Sequence, residues 1–297
     1  MSVTVRVPAK VNVQLAVGAA RPDGFHGLAN VFLAVGLHDE ITVTPAGELR
    51  VTCEGPDAGQ VPLDRTNLAA RAAEALAARY GRTPDVHLHI VKDIPVAGGM
   101  AGGSADGAGA LLACDALWGT NASRDELLGI CAELGSDVPF SLVGGAALGT
   151  GRGEKLTALE VGGTFHWVFA MAERGLSTPA VFREFDRLGE GVDIPEPVAS
   201  QELLGALAKG DPDALAAAVS NDLQPAALSL FPELADTLAA GRAAGALTAL
   251  VSGSGPTTAF LARDRESASK VAEALLASGT CRSVRQASGP APGATVI

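Results

Sequence analysis

Basic residues are in short supply. Lysine and arginine total 22 against 33 acidic residues, leaving a formal net charge of −11 over 297 residues. A duplex nucleic-acid binder neutralises phosphates with clustered cations, so this balance argues against nucleic acid as the partner. A local basic pocket for one anionic small molecule stays open. Cysteine is also scarce, with Cys53, Cys114, Cys131 and Cys281 alone. None forms a C-x-x-C pair and none has a histidine at metal-ligand spacing, so neither a disulfide framework nor a zinc site is expected, and a reducing compartment fits. MSVTVRVPAKVN lacks the apolar core of a secretory signal. The uncharged stretch between Arg242 and Arg263 is broken by SGSGP, which a lipid-facing helix does not tolerate. The reading is a soluble cytoplasmic chain without membrane contact. Charge is low at 19% while hydrophobic residues reach 47%, so a packed core is expected and disorder is not.

Residues 3–7 and 11–17 read as strands on either side of PAK, with a turn at RPDGFHG (21–27). Further strands are expected at 31–37, 40–46, 49–53 and 86–91. An Ala-rich helix over 67–80 is capped by Thr66 or Asn67. A glycine-rich loop at 95–104 runs into a helix reaching Trp118, and another helix spans 124–134. SDVPF follows, then a glycine-punctuated pair of short strands within 142–156. After a break at GGT, helices are expected near 178–186, 200–208, 211–222, 232–244 and 265–277. Strands are expected near 166–172, 247–251, 257–262 and 282–285. Mixed order argues for α+β layers in two domains, 1–162 and 163–297. The Pro/Gly/Ala-rich tail reads as loosely held.

Four segments carry chemistry. PVAGGMAGGSAD (95–106) leaves the backbone bare after a strand and opens a helix, so its N–H groups and the positive helix end suit phosphates. Ser104 adds a hydroxyl for phosphate or metal, and Asp106 a metal or water contact. Taken alone, the segment fits a packed glycine turn equally well. It is neither a Walker A loop nor a dinucleotide fingerprint. In PAKVN (8–12), Lys10 is either a surface charge at a bulge or an amine held near a negative partner. In ELGSDVPF (133–140), Asp137 is either a turn or capping carboxylate, or else a positioned base or a carboxylate paired with Lys10. VSGSGPTTAF (251–260) is a second glycine turn leaving a strand. His87 and His89 share a strand face without an apparent third ligand, which fits a solvent-facing edge better than a metal site. His38 and His166 have no evident partner. Trp118 and Trp167 read as packing residues.

These motifs, in this order, resemble the GHMP kinase superfamily over residues 7 to 262. The resemblance implies a two-domain fold with the active site in the cleft between the domains, the second domain being ferredoxin-like α+β. It implies that Lys10 and Asp137 are catalytic. It implies that ATP, with Mg²⁺, is held by Pro95, Val96, Ala97, Gly98, Gly99, Met100, Ala101, Gly102, Gly103 and Ser104, with no protein metal ligand assigned. RPDGFHGL and GTGRGEKL narrow the match to members that phosphorylate the 2-hydroxyl of 4-diphosphocytidyl-2-C-methyl-D-erythritol, on the methylerythritol phosphate route to isopentenyl diphosphate. The implied partner is this cytidine diphosphate derivative alone, bound by Asn12, Phe25, His26, Thr178 and Phe182, in a monomer or homodimer. The turn at 252–255 would support the substrate side. Ala97 and Ala101 stand where the family has glycine, Ala105 where it has serine, and Phe25 where tyrosine is common. Other readings are a GHMP kinase for a sugar, homoserine or mevalonate-type alcohol, or a non-catalytic ligand-binding relative. A dinucleotide-dependent oxidoreductase is a distant third.

Overall fold

The computed structural model describes residues 2–297. Two long antiparallel strands, β1 (Val3–Ala20) and β2 (His26–Pro45), flank the RPDGF turn. Two strands around PAK were expected; one strand runs through it. Pro8 has no N–H for the ladder, but the register shifts between Pro8 and Ala9, so the missing bond falls at a bulge. The second pair of expected strands, 31–37 and 40–46, likewise merges into β2.

β3 (Arg50–Glu54), α1 (Leu68–Arg79) and β4 (Val86–Val91) follow. Asn67 caps α1 by accepting from the Ala69 N–H at 2.8 Å. Next come α2 (Gly102–Trp118), α3 (Arg124–Leu134), α4 (Val138–Val143) and the hairpin β5 (Ala146–Thr150) and β6 (Lys155–Ala158). Ser123 and Glu126 close a capping box on α3. The second half contains β7 (Phe165–Met171), α5 (Thr178–Leu188), α6 (Gln201–Lys209), α7 (Pro212–Ala218) and β8 (Ser220–Asn221). It continues with α8 (Gln224–Leu230), α9 (Leu234–Ala243), β9 (Thr248–Val251), β10 (Thr258–Ala262), α10 (Arg265–Ser278), β11 (Ser283–Gly289) and β12 (Thr295–Val296).

One sheet runs β12-β1-β2-β4-β3, with β5 and β6 continuing from β2 and β8 beside β1. The other is antiparallel, in the order β11-β7-β10-β9. Helix α2 is mostly apolar and buried along its middle, resting directly on β2: a Cβ at Gly109 would lie 2.5 Å from Ile41 Cδ1. Alanines of α1 and α2 let the two helices approach closely. Trp167 is fully buried, as its packing role requires, and Trp118 lies under the Arg82 guanidinium.

Two expectations are corrected, and two helices were not foreseen. The helix expected over 211–222 stops at Ala218, because Ser220 and Asn221 pair with Gln14 and Leu15 of β1. Val138 opens the short helix α4 with Asp137 at its N-cap position, and neither α4 nor α8 was anticipated. The tail is held: Val296 pairs with Val5, Gly144 bridges to Pro292, and the Ala294 N–H donates to Ser141 O.

Candidate active site

A cleft of about 700 Å³ is walled by β1, β2, the glycine loop, α5 and the turn at 253–254. Along β1 the side chains alternate. Ala9, Val11 and Val13 enter the core, while Lys10 and Asn12 face the cleft. Lys10 is 4% exposed, and its Nζ donates to Asn12 Oδ1 at 2.7 Å and to Gly99 O at 2.8 Å. Asp137 Oδ2 lies 3.7 Å from the same nitrogen. Burial pushes the Lys10 pKa below its ordinary value, and the Asp137 carboxylate offsets only part of that shift. Asp137 occupies the N-cap position of α4 yet makes no side-chain cap bond, so its carboxylate is free to meet the amine.

The glycine loop wraps the mouth of this pair. Ala101 sits at the N-cap of α2 and has no polar side chain to cap it, so the first-turn N–H groups of Gly102, Gly103 and Ser104 have no protein partner. Pro95, Ala97, Gly98, Gly99 and Ala101 to Ser104 line the cleft. Val96 and Met100 are not among the lining residues, and Met100 is buried in the core. The late glycine turn braces the loop from below: Ser252 Oγ donates to Gly99 O at 3.1 Å, and a Cβ at Gly99 would meet Ser252 O at 2.0 Å.

At the other end, Phe25 stands 50% exposed on the turn, with the Arg152 guanidinium 5.2 Å from its ring centre. His26 is buried, and its Nε2 lies 2.8 Å from Asp186 Oδ1 of α5. The Phe182 ring packs on His26 at 4.9 Å, and Thr178 Oγ1 lies 2.8 Å from Ser254 Oγ.

Models of two families, the GHMP kinases N terminal domain and the GHMP kinases C terminal, match residues 67–145 and 203–280. The chain is 85% identical to the 4-diphosphocytidyl-2-C-methyl-D-erythritol kinase of Streptomyces coelicolor, with 100% of each chain covered. The chain belongs to the GHMP kinase family. The enzyme of the same name from Thermobifida fusca is 60% identical, covering 100% of this chain and 98% of its own. A crystal structure of 4-(cytidine 5'-diphospho)-2C-methyl-D-erythritol kinase superposes with a TM-score of 0.78 at 33% identity, over 96% of this chain and 98% of that one. The L. major mevalonate kinase shares the GHMP fold alone, with a TM-score of 0.75 at 14% identity over 97% and 96% of the chains.

Within this GHMP kinase, one motif residue is reassigned. Asp106 is not a cleft ligand: it is 2% exposed, and its Oδ2 lies 3.0 Å from Lys92 Nζ. Lys92 also donates to the fully buried Asp39, whose other oxygen accepts the Asp93 and Ile94 N–H groups. Burial pushes the Asp106 pKa up to about 7, against the pull of Lys92. The network underlies the loop, since a Cβ at Gly102 would lie 2.7 Å from Lys92 Nζ. His87 and His89 hydrogen-bond Thr52 at the sheet edge, and no group of three His, Cys, Asp or Glu side chains suited to a metal occurs among the described residues.

The cleft contains residues that motif reading missed. Asn30, Arg152 and Asp186 all line it, alongside Ser254 of the expected 252–255 turn. GTGRGEKL carried a signal for Arg152. Nothing local marks Asn30, which only the pairing of β1 with β2 brings beside Asn12.

Proposed function

We propose that this chain transfers the γ-phosphoryl group of ATP to the 2-hydroxyl of 4-diphosphocytidyl-2-C-methyl-D-erythritol. The observation that carries the reading is the Lys10–Asp137 pair at the mouth of a bare-backbone cradle. Full-length identity to chains of that name supports the choice of acceptor. The unpartnered N–H groups of Gly102 to Ser104 hold phosphate oxygens at the positive end of α2. Asp137 accepts the proton of the attacking hydroxyl. Lys10 stabilises the forming alkoxide and holds Asp137, while its bonds to Asn12 and Gly99 fix the ammonium in place. Phe25 offers an exposed ring for the cytosine, His26 a hydrogen-bonding edge, and Thr178 with Phe182 closes the base pocket from α5. Arg152 places positive charge beside the ring.

Mg²⁺ suits this donor set. It keeps water and phosphate oxygens as ligands and asks little of the protein, and the Ser104 hydroxyl would be its protein contact. When bound, it neutralises charge on the β- and γ-phosphates. The division into domains 1–162 and 163–297 belongs to this proposal. The second sheet opens at Phe165, although β8 and β12 return to β1. A cytoplasmic setting accords with four free cysteines and with the absence, among the described residues, of a helix long and apolar enough to cross a membrane.

Release of ADP from ATP and a panel of alcohols tests the reading. The cytidylyl alcohol is expected to be turned over, and homoserine and mevalonate are not. Lys10→Ala and Asp137→Ala are expected to fold and to lose on the order of 10²–10⁴ in kcat. Turnover of another alcohol in preference, or near-normal kcat in either variant, would overturn it.

A further inference from the structure

Every donor and acceptor along the row from Lys10 to Asn30 has one consistent assignment. An ammonium has only donors, so Asn12 presents its amide oxygen to Lys10 Nζ at 2.7 Å. The Asn12 NH₂ then faces Asn30, which answers with its own oxygen at 2.6 Å. The Asn30 NH₂ is left with no protein acceptor among the described residues. Asn30 is 4% exposed, yet its nitrogen is not one of the sealed, unpartnered polar atoms, which are Asp106 Oδ1 and Trp167 Nε1. It therefore opens onto the cleft that Asn30 lines. A nearly buried amide donor without a partner costs about 1–3 kcal/mol, so a ligand oxygen there is favoured.

Its position indicates which part of a ligand it meets. His26, Leu28 and Asn30 alternate along β2 and all line the cleft. Asn30 pairs with Leu15, while Ala34, four residues further along, pairs with Lys10. Asn30 is thus about 13 Å along the strand from His26, and the same distance from the register of Lys10, at ~3.3 Å per residue. Its side chain nevertheless reaches Asn12, which bonds Lys10, so the amide lies between the proposed base pocket and the phosphoryl-transfer centre, on the side of the latter.

We propose that Asn30 is a substrate-binding residue. Its amide donates to an oxygen of the diphosphate–polyol segment that joins the base to the reacting hydroxyl. This inference rests on the function proposed above and adds a specificity determinant to it. An oxygen-rich linker is rewarded at this point, and an apolar one leaves the amide unpaired.

Asn30→Asp is the informative variant. It keeps an oxygen facing the Asn12 NH₂ and turns the donor toward the cleft into an anionic acceptor. KM for the cytidylyl alcohol is expected to rise at least tenfold, about 1.4 kcal/mol, with KM for ATP unchanged. If Asn30 only braces Asn12, Asn30→Asp keeps a normal KM while Asn30→Ala lowers kcat, and the inference fails. In the wild-type enzyme, the side-chain amide resonance of Asn30 is expected to shift on adding the cytidylyl alcohol. A shift with CDP as well assigns the contact to the diphosphate, and a shift with the full substrate only assigns it to the polyol. No shift with either overturns the proposal whether or not the variant folds. A wild-type enzyme inert toward the cytidylyl alcohol sinks the proposed function and this inference together. An active wild type with an unaltered Asn30→Asp variant sinks this inference alone.

Discussion

In the proposed mechanism Lys10 works because its surroundings make a cation costly and then use it. Burial lowers its pKa from 10.5, and Asp137 only partly restores it. If the ammonium is the working form, kcat falls as pH rises through a value below 10.5, since the proton is lost earlier than from an exposed lysine. The pH–rate profile checks this. Lys10→Arg, if it retains measurable turnover, is expected to lose this alkaline limb, because a guanidinium stays charged. A limb unchanged by Lys10→Arg would assign it to another group. Much of this residue-scale picture was legible in the sequence, since PAKVN and LGSDVPF name the amine and the carboxylate. It was legible only through resemblance, however. Taken by itself Asp137 reads as a cap, and it takes the structure to show that the capping bond is not made. Asn30 had no signal, because its significance lies in cross-strand register and not in its neighbours in sequence.

Among the elements, the glycine loop is where backbone conformation bears most directly on the proposed site. Ala97 and Ala101 both adopt left-handed backbone, with φ of 53° and 62°. That region costs a non-glycine residue roughly 1–2 kcal/mol. The strain is tolerated, so these positions favour glycine without requiring it. Gly99 is different: its φ is 72° and a Cβ would sit 2.0 Å from Ser252 O. Ala101→Gly is therefore expected to leave thermal stability unchanged or raise it by ~0.5–1 kcal/mol, the released strain exceeding the entropy gained by the unfolded chain. Gly99→Ala is expected to lower Tm and disturb the Lys10–Gly99 bond. Thermal melts of both variants check the contrast, and equal destabilisation would contradict it. The loop and its helix were plain from composition. The continuity of β1 through Pro8 was not, because a proline at a bulge looks in sequence like a proline that ends a strand.

Across the whole molecule, chain ends and halves converge on β1. β8 pairs with it at Gln14 and Leu15, and β12 at Val5 and Arg6. Residues 291–294 also tie down α4 and its flank, through the Ala294 N–H on Ser141 O and the Gly145 N–H on Ala291 O. α4 carries Asp137 at its start. Truncation after Gly289 is therefore expected to cost ~2 kcal/mol, or about 4–8 °C in Tm, and to reduce kcat more than KM for ATP. An unchanged kcat would show that the tail does not help place α4. Tail composition suggested a loose end, and what holds it is long-range pairing that no local pattern encodes.

The central claim is that an amine from β1 and a carboxylate from α4 meet at a phosphate cradle to move one phosphoryl group onto one alcohol. Phosphorus NMR of the enzyme with ATP, Mg²⁺ and 4-diphosphocytidyl-2-C-methyl-D-erythritol tests it most directly. Wild-type protein should build up one new phosphate monoester on the substrate in step with ADP, and Asp137→Asn should bind ATP yet form almost none. A monoester signal growing at the wild-type rate in Asp137→Asn, or none in the wild type, would contradict the account.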